Sequence, residues 1–308
     1  MIVGGPDILR FAVVPVFLAL ALLDVRTRRI PRWVWHPILL AGGIALAWDT
    51  AVHYTTGGFR WELYAIRTAI SVGVVAPLGY LFYRIRAFGR ADAKAIIAIG
   101  LTFPTYPMLT VGGFRVPLAE APLGVFSMTI LTNAILVALC YPIGLFILNA
   151  VRGQFTPCMF VGRSVHWSSL DRRHGTLIED GDGFTRSGLD LDALRMYCQW
   201  RSCSLGTIRA NPESLREPPT APGAEVGDGR VRTDGGDDPW GARAFLEAAN
   251  GAYGTRPEEL RDALELLTTR EQVWFSPGIP FLLPLAIGLL IGLVIGDLFT
   301  ILLQIPTT

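Results

Sequence analysis

The segment ILRFAVVPVFLALALLDVRTRRIPR, residues 8–32, decides the fold. Its first part, Ile8–Leu23, carries a single charge, and its second part carries Asp24 followed by four arginines. An α-helix needs about 20 mostly apolar residues to cross the hydrocarbon core of a bilayer. A cleaved signal peptide is the alternative, but a clear cationic start and a small-residue cleavage site are lacking. The segment therefore predicts a membrane-spanning helix that ends in a polar, positively charged loop.

Working outward, five further apolar runs carry one charge or none: Trp33–Trp48, Leu63–Tyr83, Ala95–Phe114, Ala121–Val151 and Val273–Gly296. The chain of 308 residues is 51% hydrophobic and 17% charged, against about 25% charge in soluble domains. The predicted fold is an all-α polytopic membrane protein with six transmembrane helices. This composition argues against a soluble single-domain enzyme or a disordered chain, and a net charge of +1 argues against a nucleic-acid partner.

Arginine placement predicts the orientation, because cytoplasmic loops are enriched in Lys and Arg. The loop after the first run holds four arginines, and the loop before the fourth run holds Arg84, Arg86 and Arg90. The loops after the second and fourth runs hold only Arg60 and Arg115. We therefore expect the first and third loops and the long insert after the fifth run to face the cytoplasm, with both termini outside.

The insert concentrates the charge, with 15 Lys/Arg and 19 Asp/Glu between residues 152 and 271. It divides the chain into a membrane domain at 1–151, a cytoplasmic insert at 152–272, and a last span with the C-terminus at 273–308. Alternating residues predict a β-hairpin of Cys158–Trp167 and Gly175–Asp180, with its turn at Asp171–Arg173. The Pro- and Gly-rich stretch Asn211–Gly241 predicts a flexible linker without a core.

A helix is expected after this linker. Thr255 and Glu258 have capping-box spacing, and the apolar face of Leu260, Leu264 and Leu267 is expected to pack on the domain or the membrane surface.

Two carboxylates stand out as candidates for chemistry, because ionisable groups at membrane depth are costly and usually functional. Asp24 ends the first span and Asp92 begins the fourth, so both are expected at the cytoplasmic boundary and at similar depth. Two such carboxylates sharing one proton would activate water for peptide hydrolysis. The alternative is that each solvates a helix end. Arg26 or Arg28, turned toward Asp24, would favour its ionised form.

The local motifs favour the first interpretation. Asp24-Val-Arg-Thr-Arg-Arg-Ile30-Pro31 and Gly89-Arg-Ala91-Asp92, followed by Lys94, resemble the motifs of the aspartic prepilin peptidases, in particular their archaeal preflagellin/prepilin peptidase branch. This GxGD class places one aspartate before an Ile-Pro pair and the other in G-x-G-D-x-K. By that resemblance Asp24 and Asp92 are the catalytic pair. Two departures are Ala91 in place of the second glycine and Arg32 in place of an asparagine.

The resemblance implies that the substrates are archaellin and type IV pilin-like precursors, membrane proteins whose basic leader is cut at the cytoplasmic face. It implies no cofactor or metal, and cleavage without methylation, since the Cys-rich zinc segment and methyl-donor loop of bacterial relatives are not found in the sequence. A proton- or ion-coupled transporter using the two aspartates is the alternative, although such sites usually lie near the bilayer midplane. A membrane scaffold acting through the insert is a third class.

Several other residues are weaker candidates. Lys94 lies about 200° around a helix from Asp92, so a snorkelling anchor is as reasonable as a contact. Cys198 and Cys203, with His166 and His174, lack zinc-site spacing. The remaining candidates, for which structural roles are expected, are a small-residue helix-packing stripe (Gly288, Gly292 and Gly296) and Asp297.

Overall fold

The computed structural model describes residues 5–28, 30–85, 87–107, 109–111, 114–180, 183–185, 188–217, 238–278 and 280–304. The helices are α1 Gly5–Thr27, α2 Trp35–Thr56, α3 Gly58–Ile70, α4 Ala76–Arg84, α5 Arg90–Thr102, α6 Phe126–Val151, α7 Leu191–Trp200, α8 Leu205–Ala210, α9 Pro212–Arg216, α10 Ala242–Ala248, α11 Pro257–Thr269, α12 Leu282–Val294 and α13 Leu298–Gln304. The strands are β1 Leu109–Val111, β2 Phe114–Val116, β3 Arg163–His166, β4 Thr176–Leu177, β5 Glu179–Asp180, β6 Gly183–Phe184 and β7 Gln272–Ser276.

The chain divides into two compact units. The first, the membrane unit, comprises Met1–Tyr141 and Pro280–Thr308, and the second, the insert unit, comprises Pro142–Ile279. The division falls inside α6, at Pro142.

Among the described residues, three helical segments are long and apolar enough to cross a membrane: α1, α6, and the continuous segment Gly58–Arg84. In that segment a π-helical stretch, Ser71–Val75, joins α3 to α4. These helices confirm the first, third and fifth predicted runs as membrane-spanning candidates. Most of the second run, from Trp35 to Trp48, lies within α2, a 22-residue helix, and its first two residues belong to the preceding 3-10 turn.

The predicted bounds of the fourth and sixth runs are wrong. Helix α5 ends at Thr102 because Pro104 disfavours helical geometry at Phe103, and the antiparallel strands β1 and β2 follow. Val273 belongs to β7, and the last apolar helix, α12, begins at Leu282. A short apolar run of β-branched and aromatic residues is equally typical of a buried strand, so hydropathy alone does not separate the two.

The membrane unit has a core of buried side chains from α1, α2, α5, α6 and α12. Small residues allow close helix contacts: a Cβ at Gly79 would lie 2.9 Å from the Ala93 carbonyl oxygen, and one at Gly288 would lie 2.7 Å from backbone atoms of α6. The predicted packing role is therefore confirmed for Gly288 and for Gly292, which lies against Phe126. Gly296 is different, since it follows α12 with φ +100° and contacts Ala119.

Arg10, the single charge of Ile8–Leu23, is buried and fully paired. Its Nη2 lies 2.6 Å from Asp49, its Nη1 lies 2.9 Å from Asp7, and its Nε donates to the Thr102 carbonyl at 2.9 Å. A buried guanidinium requires such partners, so this network joins α1, α2 and α5. Asp297 is likewise buried, where it accepts from Thr129 and caps α13, as its expected structural role requires.

The insert unit contains a three-stranded antiparallel sheet of order β3-β7-β4. The predicted hairpin is therefore wrong, because β7 lies between the two strands that were expected to pair. Arg163 faces Phe275 and Thr176 faces Ser276 across the two ladders. The predicted turn is instead the end of a 3-10 helix, Trp167–Arg172, with Arg173 as its C-cap. Alternation within a short segment does not reveal the partner strand, β7, which lies about 100 residues further along the chain.

The helix predicted after the linker is confirmed as α11, and its Leu260, Leu264 and Leu267 are buried in the core of this unit. Its capping pair is Arg256 and Glu259, one residue later than predicted, with the Arg256 backbone N–H donating to Glu259 at 2.9 Å.

The linker prediction is wrong at both ends. Pro212–Arg216 is helical, and the side chain of Trp240 is fully buried in the core of the insert unit. The middle of the linker, 218–237, lies outside the described residues.

Candidate active site

Asp24 lies in the last turn of α1. The helix ends because Arg28 adopts a left-handed conformation, φ +53°, while its backbone N–H donates to the Asp24 carbonyl at 2.9 Å. The Asp24 carboxylate also meets the backbone N–H of Leu282, the first residue of α12. The carboxylate is thus held between the end of one helix and the start of another.

Asp92 lies in the first turn of α5. Gly89 precedes this helix as its N-cap, and its backbone N–H donates to the Asp92 Oδ2 at 3.1 Å. A Cβ on Gly89 would lie 3.2 Å from that oxygen, which explains the value of glycine at this position. The unpaired N–H groups at a helix start favour a negative charge there.

The structure brings the two aspartates together. Both carboxylates are half-buried, and they are close enough for their charges to interact. Arg28 is half-buried and interacts electrostatically with both of them. Such a pair beside an apolar core can hold one proton between two acids, which is what general acid–base chemistry on a peptide bond requires.

The loop that leads to Asp92 is held by aromatic contacts. The ring of Phe88 lies 4.9 Å from that of Phe82 and 4.5 Å from that of Phe281, measured between centroids. Arg90 donates to the Tyr83 hydroxyl at 3.0 Å. These contacts fix the start of α5 and therefore the position of its aspartate.

The other motif residues have supporting positions. Ile30 and Ala91 pack against the core of the membrane unit, and Pro31 begins the 3-10 turn that leads into α2. Lys94 is half-buried and has no hydrogen bond or ion pair with another described residue, Asp92 included. The sequence alone does not distinguish Arg26 from Arg28. In the structure Arg26 is exposed, whereas Arg28 is half-buried and interacts electrostatically with the aspartates.

Within the described parts of the chain, no three or more His, Cys, Asp or Glu side chains form a group that would hold a metal ion. His166 bonds Ser168 and Glu271, and His174 bonds Asp192.

Comparison with known proteins agrees with the motifs. Residues 11–143 match the Type IV leader peptidase family, and residues 227–298 match a second family described as Archaeal Peptidase A24 C-terminus Type II. The chain is similar to a preflagellin peptidase of Methanocaldococcus jannaschii, with 23% identity over 52% of this chain and 68% of that protein. It is also similar to a preflagellin peptidase of Methanococcus voltae, with 24% identity over 44% of this chain and 55% of that protein. The resemblance drawn from the two aspartate motifs is thus confirmed.

Proposed function

We propose that this chain is an aspartic endopeptidase of the Type IV leader peptidase family, whose model matches residues 11–143, and that its catalytic dyad is Asp24 and Asp92. The observation that carries this proposal is the electrostatic interaction between the two motif carboxylates, one at the end of α1 and one at the start of α5. Two aspartates 68 positions apart in sequence come together beside a common apolar core. An interaction of this kind is not needed if each merely solvates its own helix end.

The chemistry follows from one proton shared by two acids. The ionised carboxylate takes a proton from water as the water oxygen attacks the scissile carbonyl carbon, and the protonated carboxyl donates its proton to the carbonyl oxygen. When the tetrahedral intermediate collapses and the C–N bond breaks, the carboxyl that took the water proton donates it to the leaving nitrogen. A hydroxyl of the intermediate returns a proton to the other carboxylate. Arg28 stabilises the negative charge that the pair carries.

We further propose that the substrates are archaellin and type IV pilin-like precursors; the two similar proteins are preflagellin peptidases, and the matching family is one of type IV leader peptidases. Cleavage would remove a short basic leader in front of a hydrophobic helix. We propose that α2, α5 and α12 complete a six-span arrangement with the three long helical segments, and that the dyad lies at the cytoplasmic face. The arginines at 26, 28, 84 and 90, near the two aspartates in sequence, support this orientation.

The test is cleavage of a precursor by the purified full chain in detergent. Asp24→Asn and Asp92→Asn should each lower kcat/KM by at least about a hundredfold, because removing an acid–base group costs about 10²–10⁴ in rate. Glu62→Gln, which changes an exposed carboxylate of α3, should retain full activity. Chelators and reagents directed at serine or cysteine should have little effect.

Substantial cleavage by either aspartate variant, or loss of activity on chelation, would contradict this mechanism. Proton flux in proteoliposomes without any cleavage would instead support the transporter alternative.

A further inference from the structure

Two cysteines of the insert unit, Cys198 and Cys203, lie side by side where α7 ends. Cys198 is in the last turn of the helix, and the chain reverses at Ser202, which has φ +52°. The reversal is closed by two backbone bonds: Arg201 N–H to the Tyr197 carbonyl and Cys203 N–H to the Cys198 carbonyl, each 2.9 Å. The turn therefore returns the second cysteine to the first.

The geometry of this turn suits a disulfide. With standard bond lengths, an N···O distance of 2.9 Å between Cys203 and Cys198 places their Cα atoms at most about 6.8 Å apart. Disulfide-bonded cysteines usually have Cα separations of about 4.4–6.8 Å. The two side chains are also close enough for each thiol to influence the pKa of the other. The backbone separation of the two cysteines is therefore within the range of a disulfide.

The pair is also accessible from one side. Both side chains are half-buried, packed against the core of the insert unit on one side. On the other side they line an open cavity of about 460 Å³ together with Asp171, Arg195 and Thr207. A small thiol or disulfide reagent can therefore reach the sulfur atoms without unfolding of the insert unit.

From this arrangement we infer that Cys198 and Cys203 form a dithiol modification site, which small-molecule disulfides such as oxidised glutathione convert to an intramolecular disulfide. The Cys203 thiolate attacks one sulfur of oxidised glutathione and expels one glutathione thiolate. Cys198 then gives its proton to that thiolate and attacks the Cys203 sulfur, which expels the second glutathione. The two cysteines lose two electrons and two protons, and one glutathione disulfide becomes two thiols.

The environment assigns the order of attack. Burial and the neighbouring Cys203 raise the pKa of Cys198 to about 12, which makes it the poorer initial nucleophile. Burial also raises the pKa of Cys203, while Arg201 and the hydrogen bond from Cys198 oppose that rise. Since both pKa values lie above the ordinary thiol value, the rate should increase with pH as the thiolate forms.

The experiment uses two variants of the full chain in detergent, each with two cysteines. Cys140→Ser/Cys158→Ser retains the pair, and Cys140→Ser/Cys198→Ser retains Cys203 together with the half-buried Cys158. Both are treated with oxidised glutathione and analysed by intact-mass and peptide mass spectrometry. The first variant should lose two hydrogen atoms in mass and yield a peptide linked through residues 198 and 203. The second should accumulate a stable glutathione adduct at Cys203.

The same variants unfolded in denaturant establish that the reagent is active. The inference is overturned if the folded first variant keeps two free thiols, or if it ends as a glutathione adduct that does not resolve. A linked peptide together with a Cys203 adduct in the second variant supports it.

Discussion

Arg26 and Arg28 lie two positions apart at the end of α1, but their environments differ. Arg26 is exposed, whereas Arg28 is half-buried and interacts with both aspartates. Arg28 also differs in its backbone, which adopts a left-handed conformation where α1 ends. A cation beside two carboxylates stabilises their shared negative charge.

We therefore expect Arg28→Gln to lower kcat/KM by about fivefold or more, the factor equivalent to about 1 kcal/mol for a charge pair near water. Arg28→Lys should restore part of the loss, because it keeps the charge. Arg26→Gln is the matched control and should cleave precursor at the parent rate. Equal losses in the two glutamine variants would mean that general positive charge, rather than the position of Arg28, matters.

At the same scale, the sequence identifies Asp24 and Asp92 from their neighbours, since Ile30-Pro31 and Gly89 give each aspartate a distinctive context. It does not predict which arginine interacts with the aspartates, because Arg26 and Arg28 follow Asp24 in the same polar run and only the folded structure distinguishes them. It also does not predict that the Leu282 N–H meets Asp24, since the two residues are more than 250 positions apart.

At the scale of elements, the packing of α12 against α6 depends on a missing side chain. A Cβ at Gly288 would lie 2.7 Å from the Ala134 nitrogen and the Ile130 carbonyl oxygen, both backbone atoms that cannot move aside. Gly288→Ala should destabilise the protein by about 1–3 kcal/mol, the usual result of overpacking. Gly43→Ala, in α2 with open space around it, should be neutral or slightly stabilising. Thermal unfolding in detergent compares the two, and a stable Gly288→Ala would show that the helices separate easily.

Helix α11 binds the residues on both sides of the segment 218–237. Its Glu265 accepts from Arg216 at 2.6 Å and from the Trp240 indole at 2.9 Å, and its Arg261 pairs with Asp238 at 2.7 Å. The hydrogen bonds from Arg216 and Trp240 hold the pKa of Glu265 below its ordinary value. Burial alone would raise the pKa of Asp238, but its bonds to Arg261 and to two backbone N–H groups lower it.

A carboxylate whose pKa is lower in the folded state contributes stability above its unfolded pKa, and this stability is lost as the pH falls. Glu265→Gln should therefore lower the free energy of unfolding by about 1 kcal/mol at neutral pH, a modest value because the pair is partly exposed. The deficit should shrink below about pH 4. Unfolding temperatures across a pH series, with exposed Glu247→Gln as the control, measure this. A deficit that is constant with pH would mean that the ionised form of Glu265 is not responsible.

For some elements, the local sequence pattern is sufficient to predict the structure. The apolar face of α11 follows from its 3.6-residue period, and Leu260 and Leu264 are fully buried as that period requires. Strand β7 cannot be predicted from its local pattern, because Val273, Trp274 and Phe275 form an apolar run that suits a strand or a helix equally.

At the scale of the whole molecule, the proposed orientation places the insert unit in the cytoplasm, and this orientation can be tested directly. In a chain whose four native cysteines are replaced by serine, Thr56→Cys lies at the end of α2 and Glu258→Cys lies in the insert unit, both at exposed positions. The arginine distribution predicts that Thr56→Cys reacts with an impermeant maleimide in intact cells. Glu258→Cys should react only after permeabilisation. The reverse pattern would place the insert unit outside and would contradict the proposed cytoplasmic cleavage.

Strand β7 occupies the middle of its sheet although it is synthesised last of the three strands. A ribosome adds about 5–20 residues per second, so the roughly 100 residues between His166 and Gln272 take about 5–20 s to make. For that time the nascent β3 and β4 have no central partner, and unpaired strand edges readily join other chains. The speed of elongation through the intervening codons therefore governs how long a chaperone must shield the half-made insert. Slow codons in that stretch should reduce the yield of folded enzyme without changing a single amino acid.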